Sequence, residues 1–114
     1  MIAGLFEAID NKDTDKFVSF LAPDCVFRFG NEPEVMGLNE IERCVGGFLD
    51  SIRGLSHQLI EIWDIPDGKV CHGIVSYTRN DGTVLTVPFS NIFKINSQGI
   101  IEYLIFADTS RLYT

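Results

Sequence analysis

The hydrophobic pattern of this chain changes its period once, at Gly54, and that change restricts the folds open to it. Upstream, apolar residues recur at helical spacing; downstream they alternate, as in half-buried strands. Ile2, Leu5, Phe6 and Ile9 form the apolar stripe of a short helix, with Glu7, Asp10 and Asn11 off it. A second helix begins at Asp13 or Thr14, either able to cap it, and Pro23 stops it. Cys25–Phe29 reads as a strand and Gly30–Pro33 as a turn-rich loop. Asn39–Ile52 is the clearest helix: Asn39 and Glu42 have capping-box spacing, and Ile41, Val45, Phe48, Leu49 and Ile52 share one side.

Beyond Gly54, the spans His57–Ile65, Val70–Arg79, Val84–Ile95 and Ile100–Ala107 are predicted strands. The turns between them are Pro66-Asp67-Gly68, Asn80-Asp81-Gly82 and Asn96-Ser97-Gln98-Gly99, and Asp81-Gly82 favours a two-residue type I′ connection. Helices first and strands last predict an α+β class, with helices packed on one face of a curved antiparallel sheet. The 114 residues suit a single domain, 1–114, with no linker or repeat.

Composition narrows the partners. The net charge is −7 and the nine basic residues are scattered, so neither a nucleic acid nor an anionic membrane surface is expected. No basic leader precedes an apolar run, and no apolar stretch approaches the roughly 18 residues that span a bilayer. Three cysteines without a CxxC predict free thiols in a reducing compartment, hence a cytoplasmic protein. His57 and His72 have no ligand spacing, so no metal is expected, and no nucleotide or cofactor fingerprint is present.

The order of elements and three stretches of sequence resemble the SnoaL-like branch of the nuclear transport factor 2-like superfamily. The first stretch is Phe6-Glu7-Ala8-Ile9-Asp10-Asn11-Lys12-Asp13 with Leu21-Ala22-Pro23-Asp24-Cys25-Val26-Phe27. The second is Met36-Gly37-Leu38-Asn39-Glu40-Ile41. The third runs from Tyr77-Thr78-Arg79-Asn80-Asp81-Gly82 through Val87-Pro88-Phe89 and Gly99-Ile100-Ile101 to Phe106-Ala107-Asp108. The resemblance implies a cone of curved sheet closed by three helices around an apolar pocket, and dimers through the outer sheet face. It does not fix function, because this fold hosts isomerases, cyclases, dehydratases, epoxide hydrolases and non-enzymatic binders.

The strands give candidate pocket residues. Asn91 is the one polar residue on the face formed by Leu85, Val87, Phe89, Phe93 and Ile95; it is either a ligand donor or an amide satisfied by a neighbouring element. In SnoaL-like cyclases an aspartate near the end of the last strand is the general acid/base. The resemblance therefore makes Asp108 the leading catalytic candidate, its pKa expected to be raised by apolar neighbours. The alternative is a cap on the Thr109-Ser110-Arg111 turn. The same resemblance puts His72 on the pocket side as a second proton-transfer group, against a packed structural histidine; His57 reads as structural or solvent-facing. Phe29, Trp63, Ile74, Phe89 and Phe93 are expected to line the pocket with Asn91, His72 and Asp108, and to select a small apolar or aromatic molecule.

Departures from better-known relatives narrow the chemistry. On the ketosteroid isomerase pattern, Leu5, Phe29 and Asn91 fall where a tyrosine, a base and an acid are needed. Arg79-Asn80-Asp81 with Asp108 spells the epoxide hydrolase pair, but at a hairpin tip. Scytalone dehydratase-like chemistry needs paired histidines, and His57 and His72 have opposite parities. Two readings remain: a cyclase- or isomerase-type enzyme, or a non-catalytic small-molecule binder or dimeric interaction module. A homodimer is expected through Thr86, Pro88, Ser90, Ile92, Leu104 and Phe106, an outward face too apolar to leave in water.

Overall fold

The computed structural model describes residues 1–113. The chain runs α1 (Ile2–Asp10), α2 (Thr14–Val18), β1 (Leu21–Phe29), β2 (Val35–Met36), α3 (Leu38–Asp50), β3 (Gly54–Ile65), β4 (Gly68–Thr78), β5 (Val84–Asn96) and β6 (Gly99–Ala107). The strands form one curved, unclosed sheet in the order β2-β1-β6-β5-β4-β3. The α+β expectation holds, and β3 to β6 are the antiparallel meander that the alternation predicted. One strand departs from it: β1 lies parallel to β6, with Phe27 beside Tyr103 and Phe29 beside Ile105. No hairpin joins the two, so nothing local in the sequence announces the pairing.

The helices pack on one sheet face because their apolar stripes need a surface to cover. α1 buries Ile2, Leu5, Phe6, Ala8 and Ile9; α3 buries Ile41, Val45 and Leu49. Asp13 caps α2, accepting from the Lys16 amide at 3.1 Å. The capping box expected at Asn39 is absent: α3 starts one residue earlier, Gly37 stands at its N-cap, and no side chain caps it. The β4–β5 hairpin is also not a two-residue turn. Arg79 and Thr83 close the loop through Arg79 N–H to the Thr83 carbonyl at 2.8 Å, and Gly82 takes φ +89°, so three residues form the tip.

Register decides which side chains meet the helices. On the inner face lie Cys71, Val75 and Tyr77 of β4, Phe89, Asn91 and Phe93 of β5, and Tyr103 and Ile105 of β6. Gly73 shares that face, where a Cβ would stand 2.0 Å from the Gln58 carbonyl oxygen of β3. β3 skips a residue in its pairing there: Leu59 faces Gly73, Glu61 faces His72, and Ile60 is extra. Such a bulge bends the strand and reverses the parity of everything beyond it. The chain also has no helix long and apolar enough to cross a membrane among the described residues.

Candidate functional site

Between helices and sheet lies a cavity of about 1190 Å³, a volume that includes its open mouth and continues past the sheet edge beside Arg28 and Leu104. Its sheet wall is Phe27 and Phe29, Tyr103, Ile105 and Ala107, Phe89 and Asn91, Val75 and Tyr77, and Leu55 and His57. The helices supply Ile9, Phe17, Val45, Phe48 and Leu49. The rim is residues 30–35, Asp108, Thr109, Ser110 and Tyr113. Phe48 meets Phe29 at 5.1 Å between ring centroids and Tyr77 edge-on at 5.8 Å, so aromatic rings of three elements converge on one side of the space.

Tyr103, Asn91, His57 and Tyr77 bring polar groups to this lining. Tyr103 is fully enclosed, its ring packed on Phe93 at 4.6 Å, Phe27 at 5.3 Å and Phe17 at 6.0 Å. Among the described residues its hydroxyl has no hydrogen-bond partner, and neither has Oδ1 of Asn91, a residue only 2% exposed. Burial, then the neighbouring Cys71, Tyr77 and Cys25, holds the Tyr103 phenol well above its usual range, so it stays protonated and able to donate. Burial also pushes Tyr77 up to about 12 and the Cys71 thiol up to about 11, which leaves both neutral.

His57 is the histidine of the lining. Its Nδ1 lies 2.6 Å from Asp10 Oδ1, and its backbone N–H donates to Asp10 Oδ2 at 2.9 Å. Its ring packs against Phe6 at 4.8 Å and Phe89 at 5.2 Å. The Asp10 bonds fit the structural reading of His57, while its place in the cavity wall was not expected: the residue lies on the inner face of β3, opposite Val75. Asp10 and His57 are 47 residues apart, a contact that no sequence spacing reports.

The other expected site residues divide by parity. Phe29, Phe89 and Asn91 line the cavity. Phe93 is fully buried behind Tyr103, in the core rather than in the wall. His72, Ile74 and Trp63 are corrected: they lie on the opposite sheet face, with His72 beside Ser90 and Ile74 beside Pro88. Both faces of β4 are half apolar, so alternation alone could not choose between them. Trp63 has the parity of His57 by counting, but the Ile60 bulge turns it outward, 44% exposed and stacked on His72.

Asp108 is at the rim, beyond the end of β6, with its carboxylate in solvent. Hydrogen bonds from Ser110, side chain and backbone, then Arg111 nearby, hold its carboxyl below the usual carboxylate range. The expected rise is therefore overturned, because the residue lies outside the apolar space. It accepts from the Ser110 amide at 3.0 Å, the turn-capping alternative. Of His72 and Asp108, only Asp108 borders the cavity. Cys25 and Cys71 are buried free thiols and Cys44 is an exposed one. Among the described residues, no group of His, Cys, Asp or Glu is arranged to hold a metal ion.

A helix-roofed, curved sheet enclosing an apolar space defines the nuclear transport factor 2-like α+β cone. Within that class the chain belongs to the SnoaL-like domain family, which matches residues 2–103. A nuclear transport factor 2-like protein of unknown function from Burkholderia pseudomallei superposes with TM-score 0.88 at 16% identity, covering 97% of this chain and 90% of that one. A protein from Jannaschia sp. CCS1, named for its likeness to SnoaL-like polyketide cyclases, gives 0.85 at 15% identity, covering 97% and 85%. TerC, co-crystallised with polyporic acid, gives 0.84 at 17% identity, covering 98% and 92%. At these identities the likeness establishes the fold alone. A search of the curated proteins by sequence finds no match.

Proposed function

We propose that the cavity binds a neutral, ring-bearing small molecule carrying a hydroxyl or carbonyl group. One observation carries this reading: Asn91 Oδ1 and the Tyr103 hydroxyl are buried without partners beside an aromatic-walled space. A buried polar atom left unpaired costs about 1–3 kcal/mol, which a suitably placed ligand group would relieve. Asn91 Oδ1 accepts and the Tyr103 phenol donates, so a hydroxyl or enol suits the pair. The lining's basic side chain, Arg28, is exposed, so a strongly charged ligand would lose its hydration with no fixed cation deep in the space. The family membership supports the reading, since one neighbour of this fold carries a polyketide cyclase name and another was crystallised with polyporic acid.

Turnover of a cyclase or isomerase type is the enzymatic form of this reading; a carrier without chemistry is its alternative. In either form Asp108 is a rim residue and not a buried acid. The reading extends to a cytoplasmic homodimer, supported by the free thiols and by the uncovered apolar sheet face.

The test is titration with the neutral fluorophore N-phenyl-1-naphthylamine. Saturable binding at one site per chain is expected, lost in Ala107→Phe, which fills the wall between Phe89 and the rim, while circular dichroism stays unchanged. Binding that survives Ala107→Phe would move the site elsewhere, including to the outer sheet face, and overturn the reading.

A further inference from the structure

We propose that His57, held by Asp10, is the proton-transfer base of the cavity, acting on a carbon acid next to a ligand carbonyl. The inference rests on the ligand-binding reading above and adds chemistry to it. A carboxylate can only accept, so the 2.6 Å contact to Asp10 Oδ1 makes His57 Nδ1 the donor and fixes the proton there. Nε2 is then the ring nitrogen with a free lone pair, on a residue that lines the cavity. The second Asp10 oxygen takes the His57 backbone N–H at 2.9 Å, so the carboxylate is clamped at both oxygens and cannot rotate away. Phe6 and Phe89 hold the imidazole plane. A base oriented by a third group and packed in one rotamer is the arrangement that proton transfer requires.

The position adds a second argument. Outside the cavity, a small cleft formed by Ala3, Phe6, Glu7, Asp10, Asn11 and Leu59 also reaches His57. His57 therefore stands in the wall between an apolar interior and solvent, with its side chain 11% exposed and that of Asp10 25% exposed. Asp10 lines only the solvent cleft. A structural histidine tying α1 to β3 needs the Asp10 bond but has no need to face the cavity as well.

In the step, Nε2 takes a proton from the carbon beside the carbonyl. The C–H electron pair forms the carbon–carbon double bond, and the carbonyl π pair moves to oxygen. The imidazolium, stabilised by Asp10, returns its proton to the same carbon or a conjugated one. Nothing is oxidised, and no co-reactant is consumed. The reaction class is enolisation or 1,3-proton transfer. His57 is the catalytic residue, and Asp10 is a positioning residue.

The probe is 2-tetralone in heavy water, with loss of its proton signal next to the carbonyl followed by NMR and its binding by displacement of N-phenyl-1-naphthylamine. With wild-type protein, 2-tetralone is expected to displace the fluorophore and to exchange above the buffer rate; His57→Gln, compared at saturating 2-tetralone, is expected to lose about a hundredfold or more of the acceleration. Long-range imidazole ¹⁵N spectra of the wild type should show His57 as the Nδ1–H tautomer, shifting toward Nε2–H in Asp10→Asn, which a purely structural clamp on catalysis would not predict alongside slowed exchange. Displacement with exchange at the buffer rate in the wild type overturns this proposal and leaves the binding reading intact, whether or not His57→Gln folds. Equal acceleration by wild type and His57→Gln, or an Nε2–H tautomer in the wild type, also overturns it. Absence of displacement overturns both readings.

Discussion

Trp63 and His72 lie ring on ring, their centroids 5.3 Å apart and their planes 8° from parallel, on the sheet face opposite the helices. Around them on that face stand Ile74, Pro88, Ile92, Leu104 and Phe106, with Thr86 and Ser90 between. Phe106 is 53% exposed. Apolar side chains gathered on one uncovered face are the usual mark of an association surface. Sedimentation at tens of micromolar should give the mass of a dimer for the wild type and of a monomer for Phe106→Glu combined with Ile74→Glu. A wild-type monomer would count against the homodimer.

Replacing Tyr103 by Phe removes a buried hydroxyl that bonds to nothing. Unliganded protein should be as stable or more stable, by about 1 kcal/mol, since an unpaired polar group is no longer buried. Ligand affinity should fall in the same variant, so stability and binding move in opposite directions. Chemical denaturation and fluorophore titration read the two effects separately. Phe93→Ala makes the contrast: behind Tyr103 and fully buried, it should cost about 3–5 kcal/mol.

Gly73 sits under the bulge of β3, and its missing side chain is what lets the two strands approach. A Cβ at this position would meet the Gln58 carbonyl oxygen at 2.0 Å, and backbone cannot swing aside as a long side chain does. Gly73→Ala should destabilise by at least the 1–3 kcal/mol typical of overpacking, about that much or more. Thermal unfolding of the variant checks it; a melting temperature equal to wild type would mean that the strands can separate without loss.

Asp81 and Asp108 are held below the ordinary carboxylate value of about 4 by hydrogen bonds, from Thr83 and Ser110 respectively. A depressed folded pKa stabilises the fold above the unfolded value, and that contribution disappears as pH falls through the folded one. The Asp81→Ala, Asp108→Ala protein should therefore have a lower denaturation midpoint than wild type at neutral pH. The two should converge in acid, as pH falls below the ordinary carboxylate value and through the folded pKa values of both carboxyls. Parallel curves down to strongly acid pH would contradict the linkage.

The sequence by itself determined the class of fold. Period and turn chemistry are local properties, so the switch at Gly54, the Asp13 cap and the β5 alternation through Phe89 and Asn91 could be read from neighbours a few residues apart. The family resemblance was legible for the same reason, through stretches such as Phe6–Asp13. Only the tertiary structure decided the site. One extra residue at Ile60 reversed Trp63, and two half-apolar faces left the parity of His72 and Ile74 open until β4 was paired. Asp108 changed meaning because the sheet ends one residue before it, in water. Asp10 and His57 are 47 residues apart, and Tyr103 is enclosed in part by Phe17 and Phe27 from the other end of the chain. A burial or a hydrogen bond made across such separations is a product of packing, and it has no counterpart in the order of the residues.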